Sequence, residues 1–137
     1  MEKYNIAVVG ASGAVGQELL KILGERNFPV GELKLCATSR SAGKKFYFRG
    51  QPYTVEVTTP DSFTGMDLAL FAGGAAVKEF GPSAVERGAV VIDNSSNFRM
   101  DPAVPLIVPE VNPEDVQWHK GIIANPNCST IQMVVAL

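Results

Sequence analysis

Short, wholly apolar runs alternate along this chain with stretches in which apolar residues recur every three or four positions. Asn5-Ile-Ala-Val-Val, ending at Gly10, is the first such run, and it predicts a strand buried on both faces. From Val15 the spacing becomes helical, with Leu19, Leu20, Ile22 and Leu23 on one stripe and Gly24 near its end. Asn27 to Gly31 predicts a loop, Glu32 to Ala37 a second strand, and Thr38 to Gly43 is turn chemistry throughout. Lys45-Phe-Tyr-Phe-Arg and Tyr53-Thr-Val-Glu-Val flank Gly50-Gln51-Pro52 and predict a β-hairpin. Asp67 to Ala72 predicts a buried strand, followed by Gly73-Gly74 and a helix from about Ala76 to Arg87, with Gly88 as its stop. Ala89 to Asp93 is the next strand. Asn94 to Glu114 is rich in Pro and Asn and predicts loop, apart from Leu106-Ile-Val. Gly121 to Ala124 is a last short strand, and an apolar helix starts at Ser129.

Strands alternating with helices predict an α/β fold, a Rossmann-like doubly wound and mostly parallel sheet with right-handed crossovers. No internal repeat is visible. The 137 residues suffice for one domain with a real core, and 46% hydrophobic with 19% charged residues is ordinary for a folded chain. A net charge of −2 without any basic block argues against a nucleic-acid partner. No apolar run approaches the ~20 residues a membrane span needs. The N-terminus enters a strand directly, without a signal peptide. Cys36 and Cys128, the two cysteines, are too few for a disulfide framework and lack metal-ligand spacing, so no metal is expected and a reducing cytoplasm fits. The apolar helix from Ser129 reaches Leu137 without a stop signal, which predicts that the chain is a fragment.

Gly10-Ala-Ser12-Gly13-Ala14-Val15-Gly16 sits where a strand meets a helix. Glycines there allow a tight turn, close approach to a pyrophosphate and close helix packing, and the free N–H groups at the helix start bind phosphate. The spacing is G-x-x-G-x-x-G, a relative of the usual dinucleotide fingerprint; a glycine-rich turn without a ligand is the plainer alternative. Sites that prefer NAD place an acid about 20 residues further on. Here that region reads Cys36-Ala-Thr-Ser39-Arg40-Ser41, with no acid, and a guanidinium with hydroxyls suits a 2′-phosphate, which favours NADP. Gly73 and Ser95 follow later strands and are weaker candidates for the same cofactor, since polar loop residues are usually just loop.

Asn125-Pro-Asn127-Cys128-Ser-Thr precedes the last apolar helix, so Cys128 is expected at a helix N-terminus, where thiolate is favoured. The same N–H groups, with the Asn127 side chain, could cradle an oxyanion. Cys36, inside an apolar strand, reads as a small buried hydrophobe. A thiolate beside a dinucleotide site suggests acyl-thioester chemistry coupled to hydride transfer. The single histidine, His119, lies in a polar stretch and is not expected to be the general base.

Val8-Val-Gly-Ala-Ser-Gly-Ala-Val-Gly, Ser39-Arg-Ser-Ala-Gly, Asp93-Asn-Ser-Ser-Asn-Phe-Arg, Val108-Pro-Glu-Val-Asn and Asn125-Pro-Asn-Cys-Ser-Thr-Ile-Gln together resemble the aspartate-β-semialdehyde dehydrogenase family, in that order and along the whole chain. Ser12 stands where Thr is common in that family. The resemblance implies an oxidoreductase that uses NADPH to convert β-aspartyl phosphate to aspartate semialdehyde and phosphate, in lysine, threonine and methionine biosynthesis. By position it makes Cys128 the thioester-forming nucleophile and Arg99 the binder of the phosphate; on the residue alone, Arg99 is equally consistent with a solvent-facing loop arginine. Ser12 to Val15 and Arg40-Ser41 match cofactor-binding segments. It also implies that residues 1–137 form the NADP-binding domain. The general base, a substrate-carboxylate arginine and the interface of a homodimer or tetramer would lie in a second domain beyond Leu137. The fragment itself is then expected to be a very poor enzyme with apolar surface exposed. N-acyl-glutamyl-phosphate reductase, more distantly glyceraldehyde-phosphate dehydrogenase, and a non-catalytic NADP-binding module are the competing readings.

Overall fold

The computed structural model describes residues 2–137. Eight strands and three α-helices follow in the order β1 (Tyr4–Val9), α1 (Ala14–Glu25), β2 (Val30–Ala37), β3 (Lys45–Phe48), β4 (Gln51–Thr54), β5 (Glu56–Val57), β6 (Leu68–Phe71), α2 (Gly74–Glu86), β7 (Val90–Asp93), β8 (Ile122–Ala124) and α3 (Cys128–Ala136). The main sheet has the order β5-β2-β1-β6-β7-β8, and every pairing in it is parallel. The order runs outward in both directions from the β1/β6 neighbours, so the crevice between the carboxyl ends of those two strands is where ligands bind in such folds. This is the doubly wound α/β fold that the strand–helix alternation predicts.

β1 divides its side chains between two cores. Ile6 and Val8 pack with Leu20 of α1, Leu33 and Leu35 of β2, and Phe48 of the hairpin. Ala7 and Val9 pack on the opposite face with Phe71 of β6 and with Val77 and Ala84 of α2. Burial on both faces is the physical reason why β1 and β6 show no polar alternation. α3 buries none of its residues, and Met133, Val135 and Leu137 are exposed.

The hairpin differs from the sequence expectation. Arg49 and Gly50, at φ 51° and 79°, form a two-residue turn between the paired residues Phe48 and Gln51, the positive-φ geometry that matches strand twist. Gln51 and Pro52, expected in the turn, therefore belong to β4. The second arm is also not one strand: it stops at Thr54, and Glu56-Val57 leaves to pair in parallel with Cys36 and Ala37. Val55 is the pivot. Its side chain is 1% exposed in the α1-side core, its N–H donates to Lys44 and its carbonyl accepts from Gly43. Val55 thus still bonds to the first arm, and the chain turns at Gly43 (φ 91°), which leaves Glu56-Val57 to pair with β2. α2 begins two residues before the expected Ala76, and 3-10 turns form at Pro60–Phe63 and Pro113–Trp118, where the sequence pattern predicts loop or no regular element. The first carries Phe63 into the core, stacked on Phe71 with ring centroids 5.7 Å apart.

Cys36 is fully buried, as its apolar strand predicts, and burial first, then the nearby Glu56 carboxylate, push its thiol up to about 12. Cys128 is exposed. Titration of the native chain with a thiol reagent near pH 8 should therefore label one cysteine, Cys128, and reach the second only after denaturation. Two fast-reacting thiols in the native state would contradict this packing.

Candidate functional site

The glycine loop is built by backbone hydrogen bonds. Gly10 and Ala11 both donate from N–H to the Cys36 carbonyl at 2.8 and 3.2 Å, and Gly13 N–H donates to the Gly10 carbonyl at 3.1 Å. Gly10 has φ +85°, which an L side chain rarely tolerates. At Gly16 an added Cβ would lie 2.2 Å from the Gly10 carbonyl oxygen and 2.7 Å from Ala11 Cα, so α1 leaves the strand at a distance only glycine permits. The N-cap of α1, Gly13, makes no side-chain cap, and no acid lies in the first turn. The N-cap of α2, Gly73, is equally bare. Both helix starts thus keep backbone N–H groups and their positive dipole ends for an anion.

These features line one groove of about 650 Å³ at the carboxyl edge of the sheet. Gly10, Ser12, Gly13, Ala14, Val15, Gly16, Ser41 and Gly73 all border it. Ser12 Oγ donates to Ser41 Oγ at 2.8 Å, tying the glycine loop to the loop after β2. Ser39 and Arg40 are exposed and do not line the groove, although Thr38 and Ser41 on either side of them do. Ser95 does not line it either. Its N–H and Oγ donate to the two carboxylate oxygens of Asp93 at 2.8 and 2.9 Å, and Asp93 is 0% exposed. Asn97 Nδ2 then donates to Ser95 Oγ and to the Gly74 carbonyl, holding the loop after β7 against the start of α2. Thr58, Ala76, Glu79 and Phe80 line the groove without having been singled out by sequence. They come from the residue after β5 and from α2, whose approach to the glycine loop is a tertiary fact.

The second part of the site stands at the same sheet edge, past β7 and β8. Cys128 is the first residue of α3, and Asn127 is its N-cap, whose side-chain oxygen accepts from Ser129 N–H at 2.9 Å. That oxygen is committed to the helix, while the Asn127 amide N–H groups make no hydrogen bond among the described residues. Both residues are exposed. Arg99 is half-buried. Its Nε donates to the Asn125 carbonyl at 2.7 Å and its Nη2 to the Asn94 carbonyl at 3.2 Å. It therefore braces the loops leaving β7 and β8, three residues before Cys128, rather than pointing freely into water. His119 Nδ1 accepts from Gly121 N–H at 2.9 Å and shapes the turn into β8. Among the described residues no cluster of His, Cys, Asp or Glu could hold a metal ion, and no helix is long and apolar enough to cross a membrane.

Comparison with known proteins adds the family. The chain matches the model for the semialdehyde dehydrogenase NAD-binding domain over residues 5–119. It is 62% identical to the aspartate-semialdehyde dehydrogenase of Aquifex aeolicus over 98% of this chain and 41% of that protein. Among solved structures it is similar to aspartate semialdehyde dehydrogenase II of Vibrio cholerae complexed with ASA. The TM-score is 0.95 at 48% identity, covering 99% of this chain and 45% of the other. It is also similar to the Candida albicans aspartate semialdehyde dehydrogenase with NADP, with a TM-score of 0.83 at 29% identity over 98% of this chain and 45% of the other. The chain spans about two-fifths of the length of the curated relatives it matches. With a fingerprint loop, a doubly wound sheet and this match, the chain belongs to the semialdehyde dehydrogenase family and carries its NAD-binding domain.

Proposed function

We propose that the chain is the NADP-binding domain of an aspartate-semialdehyde dehydrogenase, with Cys128 as the nucleophile that forms an acyl thioester. The observation that carries this reading is the common sheet edge: the groove with its two bare helix starts and Cys128 at the start of α3 both follow the carboxyl ends of parallel strands. The groove fits a dinucleotide by its own chemistry, because a Cβ at Gly16 would fill the turn and Ser12 and Ser41 offer hydroxyls beside the free N–H groups. Arg40, exposed next to the lining residue Ser41, would meet a 2′-phosphate. When bound, NADPH supplies the hydride that reduces the thioester carbon.

Cys128 Sγ attacks the acyl carbon of β-aspartyl phosphate, the carbon–oxygen bond to phosphate breaks, and inorganic phosphate leaves. The N–H groups of the first turn of α3 and the Asn127 amide stabilise the oxyanion of that step. With Nε and Nη2 held by the Asn125 and Asn94 carbonyls, Arg99 has Nη1 left to take the departing phosphate. The proton carrier and the grip on the substrate carboxylate come from the part of the relatives' length that this chain does not span, and with them the oligomer interface.

Titration calorimetry with NADP and NAD tests the cofactor half of this reading. NADP is expected to bind the chain about tenfold more tightly than NAD, and Arg40→Ala to remove most of that difference while leaving NAD affinity unchanged. Equal affinities in the unaltered chain would remove NADP from the proposal.

A further inference from the structure

The groove has one ionisable lining residue, and it is an acid. Glu79 lines it from α2, among glycines, alanines, hydroxyls, Val57 and Phe80, and no Lys or Arg shares the lining. Its carboxylate is not consumed elsewhere. The ion pairs among the described residues join Lys21 to Glu25 and Arg87 to Asp61. Nor does Glu79 serve the helix dipole, since the first turn of α2 contains no acid and Glu79 lies beyond it. A carboxylate facing a ligand that carries several negative charges must meet one of that ligand's donors rather than its phosphates.

The groove's geometry says which donor. On the dinucleotide reading, the glycine loop and the start of α1 would hold the pyrophosphate, and Thr38 and Ser41, which line the groove after β2, would hold the ribose. What remains is the slot between Val57-Thr58, at the end of β5, and Ala76, Glu79 and Phe80 on α2. Its walls are an aliphatic strand end and an aromatic ring, which suit the flat apolar face of a base. Within that slot Glu79 is the single acceptor of full charge. We infer that the Glu79 carboxylate accepts a hydrogen bond from the 6-amino group of the adenine and so selects adenine over bases without a donor at that position. This rests on the dinucleotide reading above and adds a base-recognition residue to it.

The test uses NADP and its 1,N6-etheno analogue, in which the 6-nitrogen is tied into a ring and bears no hydrogen. Binding is measured for the 137-residue chain and for a chimera in which it replaces the matching part of the Aquifex aeolicus relative. The unaltered proteins should bind NADP about tenfold more tightly than the analogue, the loss expected for one hydrogen bond to a charged group. Glu79→Ala should shrink that ratio to about threefold or less, and Glu79→Gln, which keeps an acceptor oxygen, should fall between. Glu79 is exposed on its helix, so neither variant disturbs the core. A ratio that stays large in Glu79→Ala would assign the preference to the analogue's bulk and overturn the inference while leaving the cofactor reading intact. No preference in the unaltered proteins would do the same. Failure of both proteins to bind NADP at all would remove the cofactor reading, and the inference with it.

Discussion

Cys128→Ala, placed in the chimera with the Aquifex aeolicus relative, is expected to lower turnover of β-aspartyl phosphate by more than about a thousand-fold. The reason is chemical rather than structural. Cys128 is exposed at the first position of α3, its side chain packs into neither core, and the helix is capped by Asn127. Removing the sulfur therefore leaves the fold and the dinucleotide groove as they were, and NADP affinity should stay within about twofold. Steady-state rates and NADP titration on the same preparation separate the two effects. Turnover that survives in the variant would remove the thioester step from the mechanism. Loss of NADP binding together with turnover would show that Cys128 supports the site's shape instead of its chemistry.

The second large effect is expected at Gly16. An alanine there would put Cβ against the Gly10 carbonyl oxygen and against Cα and the carbonyl carbon of Ala11, the last at 2.9 Å, and all three are backbone atoms. No rotamer change can relieve such a contact, so the start of α1 must move away from the end of β1. The cost should be roughly 2–3 kcal/mol, a fall in melting temperature of about 10 °C, with NADP binding lost because the N–H groups of the first turn are displaced. Gly13 is the control. Its φ of −81° suits any residue, and an added Cβ would come no nearer than 3.5 Å to the Gly10 carbonyl oxygen. Gly13→Ala should cost less than about 1 kcal/mol of stability, yet still weaken NADP by about tenfold, because the methyl group occupies the approach of the pyrophosphate. Thermal melts and titrations of the two variants distinguish a glycine needed for packing from one needed for ligand approach. Equal stability loss at both positions would contradict the loop geometry.

Both predictions concern residues that stand out in the sequence, but for different physical reasons. Gly16 is visible because a strand-to-helix turn of that tightness demands a particular spacing within seven residues. Cys128 is visible because a polar Asn-Pro-Asn segment leads directly into an apolar helix. Ser95 shows the opposite case. As a serine after a strand it resembles a ligand contact, yet it donates inward to Asp93, a buried carboxylate that nothing in the local pattern distinguishes from an exposed strand-end acid. Arg40 is legible as a cation in that loop, but its absence from the groove lining depends on how the loop leaves β2. Arg99 is a loop arginine in sequence, and its two carbonyl contacts exist only because β7 and β8 are neighbours.

Local sequence dictated the alternation of strands and helices, the burial of β1 and β6 on both faces, the burial of Cys36 and the place of Cys128 at a helix start. Each of these follows from periodicity and residue chemistry within a dozen positions, which the local backbone must obey. Tertiary structure alone decided that Val55 is buried where the hairpin ends and that Glu56-Val57 goes to the edge of the main sheet, because the partner of that short strand is the distant Cys36-Ala37 of β2. It also decided the far wall of the groove. Val57, Thr58, Glu79 and Phe80 meet only because β5 pairs with β2 while α2 packs beside β6, and no local pattern records which distant segments will share a wall.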